Sequence, residues 1–164
     1  MKNIKQMMKL IIIIGMLIIL VISLTGCGNK SQEQIDNEAY EEPIKNMIEG
    51  IQNTDVEKYM NAFPEFLNLK IAQKDLDELM NTYIELYGQG IQISYEITNK
   101  QEIPNEKLLE MQENIKKYFE HECTIKKGYK LEISQTVKGA KDQNISDETI
   151  DVYEIDGKWY IISF

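Results

Sequence analysis

The sequence predicts an α+β domain in which helices pack on a curved antiparallel sheet, in the order ααα-β-α-βββ. Two observations carry this prediction. Apolar residues first recur at the spacing of three and four that marks buried helical faces, and from Ile91 the spacing switches to the alternation of strands with one polar face. Because such a sheet must bury its other face, the amphipathic helices are its expected cover.

The first predicted helix begins near Pro43, a residue that suits the first helical position. Its apolar residues fall on one stripe, formed by Ile44, Met47, Ile48 and Ile51. This spacing predicts that one side of the helix is buried against the sheet.

Two more helices are predicted before the first strand. Thr54 with Glu57 resembles a capping box, which indicates a short helix over 55–63. Asp75 with Glu78 resembles a second box, and it opens a longer helix. Gly88 is expected to end that helix, because glycine readily takes the backbone conformation found there.

Four strands are predicted, the first over 91–98. A fourth helix follows Pro104, and then come three strands over 129–137, 149–155 and 158–164. Asp156-Gly157 between the last two is a strong hairpin signal. The polar segment 139–147 is predicted to be a loop inserted between strands.

The N-terminus has the build of an export signal. Three lysines precede an apolar stretch from Leu10 to Leu24, and small residues then lead to Cys27. As a helix that stretch would cover roughly 22 Å, which is short of the ~30 Å hydrocarbon core of a membrane. Cleavage is therefore a better prediction than a permanent span.

Leu24-Thr25-Gly26-Cys27 resembles the bacterial lipobox at every position. The resemblance implies that residues 1–26 are a lipoprotein signal peptide and that Cys27 becomes the lipidated first residue, carrying diacylglyceryl and palmitate chains. Residues 27–42 are predicted to be a flexible tether because they are rich in polar side chains. The single α+β domain is then 43–164, on the extracytoplasmic face of the cell membrane.

Charge limits the classes of partner. Removing residues 1–26 takes away three of the 18 basic residues and none of the 27 acidic ones, which leaves a formal net charge of −12. Nucleic acid is an unfavourable partner for this surface, because lysine and arginine are needed to neutralise phosphate. The membrane is expected to be held through the lipid on Cys27, since two acyl chains give stable attachment.

Four features of the sequence occur together: the closing run Ile155-Asp156-Gly157-Lys158-Trp159-Tyr160-Ile161, the opening helix pair, the strand 93–97 and the lipobox. With these features the domain resembles the NTF2-like (cystatin-like) domains of small Gram-positive lipoproteins. The resemblance implies a cone-shaped fold with a cavity. It implies no single activity, because such domains act as enzymes, ligand binders and dimerisation modules.

No catalytic, cofactor or metal site is predicted. His121-Glu122-Cys123 lacks the further ligands that a zinc site needs. Asp142-x-Asn144-x-Ser146 imitates the start of a calcium loop, but Asp147 and Tyr153 stand where glycine and glutamate are required.

An enzyme of this fold would need an acidic side chain inside the cone, where burial raises a carboxyl pKa. Glu96 alternates with apolar residues and is predicted to point outward. Asp151 and Glu154 fall on opposite faces of their strand, so either could enter the cone.

Five aromatic residues on predicted apolar faces form the expected ligand pocket: Tyr83, Tyr87, Tyr95, Tyr118 and Trp159. Tyrosine and tryptophan combine a large apolar area with a polar group that a ligand can use. The sequence therefore favours a non-catalytic module that binds a small molecule, a peptide or an envelope protein. An isomerase- or hydrolase-like enzyme and a structural homodimer are the alternatives.

Overall fold

The computed structural model describes residues 39–162, and within them the predicted order of elements is confirmed. The helices are α1 (Glu42–Gln52), α2 (Val56–Met60), α3 (Gln73–Tyr87) and α4 (Asn105–Phe119). The strands are β1 (Gln92–Glu102), β2 (Ile125–Lys138), β3 (Gln143–Ile155) and β4 (Lys158–Ile161). The lipobox and the predicted signal peptide lie outside the described residues.

The sheet is an antiparallel meander in which strands that follow one another in sequence are also neighbours in space. Directly paired residues place their side chains on the same face, so the register defines two faces. We call one of them the inner face. Besides their partners on other strands, it carries five alternate residues of β2: Tyr129, Leu131, Ile133, Gln135 and Val137. The outer face carries the residues between them.

Helix α1 covers the inner face. The predicted stripe is confirmed, since Ile44 and Ile51 are completely buried and the other members nearly so. They share one core with Leu131 and Ile133 of β2. The last residue of α1, Gln52, also joins the helix to the edge strand: its side chain donates to the carbonyl of Ile91 (2.5 Å) and accepts from the amide of Ile93 (2.6 Å).

The predicted starts of α2 and α3 are wrong by one to three residues. Asp55, and not Thr54, caps α2, because its carboxylate accepts the amide of Lys58 at 2.9 Å. Asp75 lies inside the first turn of α3 and accepts the amide of Ala72 at 2.8 Å. Asp75 thus stabilises the start of α3 as predicted but from inside the first turn, whereas α2 is capped by a carboxylate that is not part of the predicted box.

Helix α4 packs on the outer face, opposite the other helices. Gly128 of β2 allows this approach, since a Cβ atom there would come within 2.9 Å of both Leu108 of α4 and Tyr153 of β3. Leu108 and Ile115 of α4 form a second core with Tyr153. The sheet therefore has helices on both faces, with α4 covering one end of the outer face.

The predicted insertion over 139–147 is wrong, because most of it is strand. β2 and β3 are joined by residues 139–142 alone, and Asn144 and Ser146 pair with Val137 and Gln135. The segment was misinterpreted because its inward positions carry polar side chains, which hide the alternation of a strand. The Asp156-Gly157 turn is confirmed, with φ of 51° and 87° at the two residues.

Candidate functional site

Four of the five aromatic residues of the predicted pocket, all except Tyr118, belong to the main core or pack against it. Tyr83 and Tyr87 form a pair on α3 with ring centroids 6.1 Å apart, and Tyr95 lies on β1. Tyr118 is 64% exposed on α4, so it does not lie on the apolar face that its spacing predicted. Trp159 belongs to a group of three rings.

That group, which we call the aromatic cluster, consists of Tyr40, Tyr129 and Trp159. Tyr129 and Trp159 are stacked, with centroids 5.4 Å apart and planes at 10°. Tyr40 meets both rings edge-on, at 5.2 Å from Tyr129 and 6.2 Å from Trp159. All three rings pack against the main core yet stay partly exposed. The cluster is therefore an aromatic surface open to solvent on one side.

Three separate elements build the aromatic cluster. Tyr129 comes from β2 and Trp159 from β4, both on the inner face. Tyr40 comes from the 3-10 turn that leads into α1. Tyr40 lies in the segment 27–42 that is predicted to be a tether, and Tyr129 is not among the predicted pocket residues. Alternation could have found Tyr129, which stands two residues before Leu131, but no local pattern marks Tyr40.

A cation lies over the aromatic cluster. The ammonium nitrogen of Lys100 is 4.5 Å from the ring centroid of Tyr40 and 4.9 Å from that of Tyr129. Both distances fall within the ~6 Å range in which a ring face attracts a cation. Because Lys100 itself is exposed, this contact forms at the solvent boundary.

Carboxylates flank the same rings. Glu102 of β1 is paired directly with Tyr129, and Glu154 of β3 is paired directly with Trp159. Paired residues share a face, so both glutamates belong to the inner face beside the cluster. Glu154, one of the two acids considered for the cone, therefore lies on the inner face of an interior strand, between Lys127 of β2 and Trp159 of β4. Together with Lys100, the inner face beside the cluster carries two carboxylates and two ammonium groups.

A second group of polar residues lies further along the inner face. Gln135 is 3% exposed and Ser146 is 8% exposed, and they are paired across β2 and β3. Glu148 follows on the same face, opposite Ile133. Burial raises its carboxyl pKa above the usual value of 4.5. Its Oε1 atom is buried without a hydrogen-bond partner among residues 39–162.

Glu148 is an inward carboxyl that is not among the predicted site residues. It lies between the predicted loop 139–147 and the predicted strand 149–155, although alternation from Ile150 would extend that strand to it. Tyr83 faces it, and the pKa of that phenol rises to about 12, mainly by burial and in part through the negative charge of Glu148. Asp151, by contrast, belongs to the outer face, opposite Lys130.

Glu148→Gln is expected to change how stability depends on pH. Because the folded carboxyl has the higher pKa, the folded state binds the proton more tightly, and wild-type stability falls as pH rises from 4.5 toward the raised value. The glutamine variant cannot ionise, so it should be more stable than the wild type near neutral pH and lose that advantage in acid. Urea unfolding at about pH 4 and about pH 8 measures this. The exposed Glu96→Gln serves as the control, and equal slopes for the two variants would contradict the assignment.

His121 stacks on an aromatic ring, and Cys123 is a free thiol that is partly buried. The imidazole stacks on Phe66 with centroids 4.6 Å apart. Burial, with a smaller effect of Asp156, raises the thiol pKa of Cys123, which lowers its thiolate fraction. In residues 39–162, no group of three or more His, Cys, Asp or Glu side chains could hold a metal ion.

No protein-family model, no curated protein and no solved structure matches this chain. The resemblance to NTF2-like lipoproteins therefore stays a prediction, while the α+β class is shown by the fold itself. In the described part of the chain, no helix has both the length and the apolar character needed to cross a membrane.

Proposed function

We propose that this chain is an extracytoplasmic lipoprotein, anchored to the cell membrane through Cys27, whose domain is a non-catalytic module that binds a small molecule or a peptide at the aromatic cluster. The observation that carries the proposal is the cluster itself. Three rings from three elements share one partly exposed surface with a cation over it. Partly exposed Tyr and Trp rings offer a ligand large contact area at low cost in conformational entropy.

The placement of the cluster supports this function. Tyr40 stands at the start of the described domain, so the ligand site lies where the chain enters from the predicted tether. The rings are packed against the core on one side, which holds them in position before a ligand arrives. With a net charge of −12 after cleavage, a cationic or neutral ligand is favoured.

The anchor is tested by exchanging the two cysteines separately. Cys27→Ser should abolish incorporation of labelled palmitate in cells and release the protein from the membrane fraction, because the serine hydroxyl cannot form the thioether. Cys123→Ser is the matched control and should keep both the label and the membrane location. Label retained by the first variant, or lost from the second, would contradict the lipobox interpretation.

Ligand binding is tested by thermal unfolding of the mature chain in detergent against a panel of metabolites, peptides and organic ions. A ligand at a hundred times its Kd adds about 2.7 kcal/mol, which raises Tm by several degrees. Tyr40→Leu should remove the shift, and Tyr118→Leu, an exposed tyrosine on α4, should keep it. A shift that survives Tyr40→Leu would place the site elsewhere, and a panel without any shift would contradict a small-ligand function.

Glu148 is the observation that favours the enzyme alternative. An isomerase or hydrolase of this fold needs an inward carboxyl of raised pKa, and Glu148 has that position and that shift. Nothing comparable favours the homodimeric alternative, since the uncovered part of the outer face carries polar and charged residues such as Ser94, Glu96 and Glu132.

A further inference from the structure

Resting on the proposed function, we propose that the ligand of the aromatic cluster is a small soluble organic cation carrying a methylated ammonium group, and that Lys100 occupies its place when no ligand is bound. Aromatic rings that surround a cation are the recognised binding arrangement for quaternary ammonium groups. The ammonium of Lys100 already lies 4.5 Å and 4.9 Å from two of the three ring centroids. The site therefore already holds a positive charge, which is the charge that the proposed ligand carries.

A β-bulge directs Lys100 to the rings. Ile97 is paired with Ile133 on the inner face, and regular alternation would place Lys100 on the outer face. The register shifts between Ile97 and Asn99, so Lys100 pairs with Leu131 and belongs to the inner face instead. Bulges commonly redirect a side chain at functional sites.

Side chains of β1 hold the shifted register in place. The hydroxyl of Thr98 donates to the backbone carbonyl of Glu132 at 3.1 Å. The amide nitrogen of Asn99 donates to the carboxylate of Glu132 at 3.3 Å. The backbone therefore fixes the face of the sheet to which Lys100 belongs.

Hydration favours a methylated ammonium over Lys100 at the cluster. Glu102 is paired with Tyr129, and Glu154 is paired with both Trp159 and Lys127, so two carboxylates and a second lysine share the inner face with the rings. A primary ammonium is strongly hydrated and loses much of its water when it approaches a ring. A methylated ammonium is larger and more weakly hydrated, so it gains more from the same surface and can displace the exposed Lys100 side chain.

Trp159 provides the measurement, because it is the only tryptophan in the chain. Tetramethylammonium chloride and choline chloride should change its fluorescence in a saturable way, while sodium chloride at equal ionic strength should not. The neutral carbon analogue of choline, in which a tert-butyl group replaces the trimethylammonium group, should bind at least tenfold more weakly. Tyr40→Leu should weaken choline binding by a similar factor.

Lys100→Met tests whether the Lys100 side chain occupies the ligand site when no ligand is bound. Removing the competing ammonium should tighten choline binding about twofold to fivefold, which corresponds to a cation-π contact at an exposed site. Lys138→Met removes the same charge from the exposed outer face and should leave the affinity within error of the wild type. Equal changes in the two variants would overturn the role of Lys100.

Two further results would overturn the inference. Equal affinity for choline and its neutral analogue would show an apolar site, and the proposed binding function would stand without the cation. No response to either ammonium compound would also overturn the inference. The proposed function is tested separately by the thermal panel, where a silent panel or a shift that survives Tyr40→Leu would contradict it, so the two failures are distinguishable.

Discussion

Leu131→Ala is expected to lower the free energy of unfolding by about 2–5 kcal/mol. Leu131 has no exposed surface and lies on the inner face. It is paired with Ile150 of β3 and shares one core with the apolar stripe of α1. Truncation removes the transfer free energy of the buried atoms and leaves a cavity that surrounding strands cannot close. Urea unfolding followed by circular dichroism measures the change.

Leu109→Ala is the matched control for this prediction. Leu109 is 54% exposed on α4, so the same truncation should change the free energy of unfolding by less than about 0.5 kcal/mol. If the two leucine variants lose equal stability, the packing of the inner face described above is wrong.

Gly50→Ala is expected to have the second large effect on stability. The sign of the change shows which is larger, the gain in helix propensity or the cost of steric overlap with α2. In an isolated helix the alanine would add about 1 kcal/mol of stability. Here a Cβ on Gly50 would come within 2.5 Å of the backbone nitrogen and 2.6 Å of the Cα of Tyr59, where α1 meets α2. Because backbone atoms cannot rotate away, the overlap should outweigh the helix term and destabilise the domain by about 1–3 kcal/mol or more.

Thermal unfolding checks the sign of this change. Lys45→Ala, at an exposed position of the same helix, should stay within about 0.5 kcal/mol of the wild type. A Gly50→Ala variant that is more stable than the wild type would show that the two helices are not in contact at this position.

The sequence predicts those parts of the fold that depend on local patterns. The stripe from Ile44 to Ile51, the end of α3 at Gly88 and the Asp156-Gly157 hairpin are all found in the structure. Each follows from spacing or from a backbone preference carried by a few neighbouring residues. Elements of this kind need no knowledge of the rest of the chain.

The misassigned elements depend on distant residues. The first half of β3 is a strand because Asn144 and Ser146 pair with β2, although their own side chains are polar. Tyr118 has helical spacing, yet it is exposed because α4 covers only one end of the outer face. Both outcomes depend on strand register and helix placement, which a few neighbouring residues cannot predict.

The candidate site is the least predictable part for the same reason. Trp159 is a predicted pocket residue because it falls on an apolar face of its strand. Tyr40 contacts it from a segment that is predicted to be a tether. Lys100 reaches the rings only because one extra residue in β1 changes the face to which it belongs. A bulge leaves no clear signal in a single sequence, so the cation over the cluster could not be foreseen.

The most direct test of the account is a nuclear magnetic resonance titration of the mature chain in detergent with a small-molecule extract of the cells that make it. The single indole N–H of Trp159 reports contact at the aromatic cluster. The account predicts that this signal moves on addition of extract, that Tyr40→Leu removes the movement and that Tyr118→Leu preserves it. An indole signal that stays in place while other signals of the domain move would contradict the aromatic cluster as the ligand site.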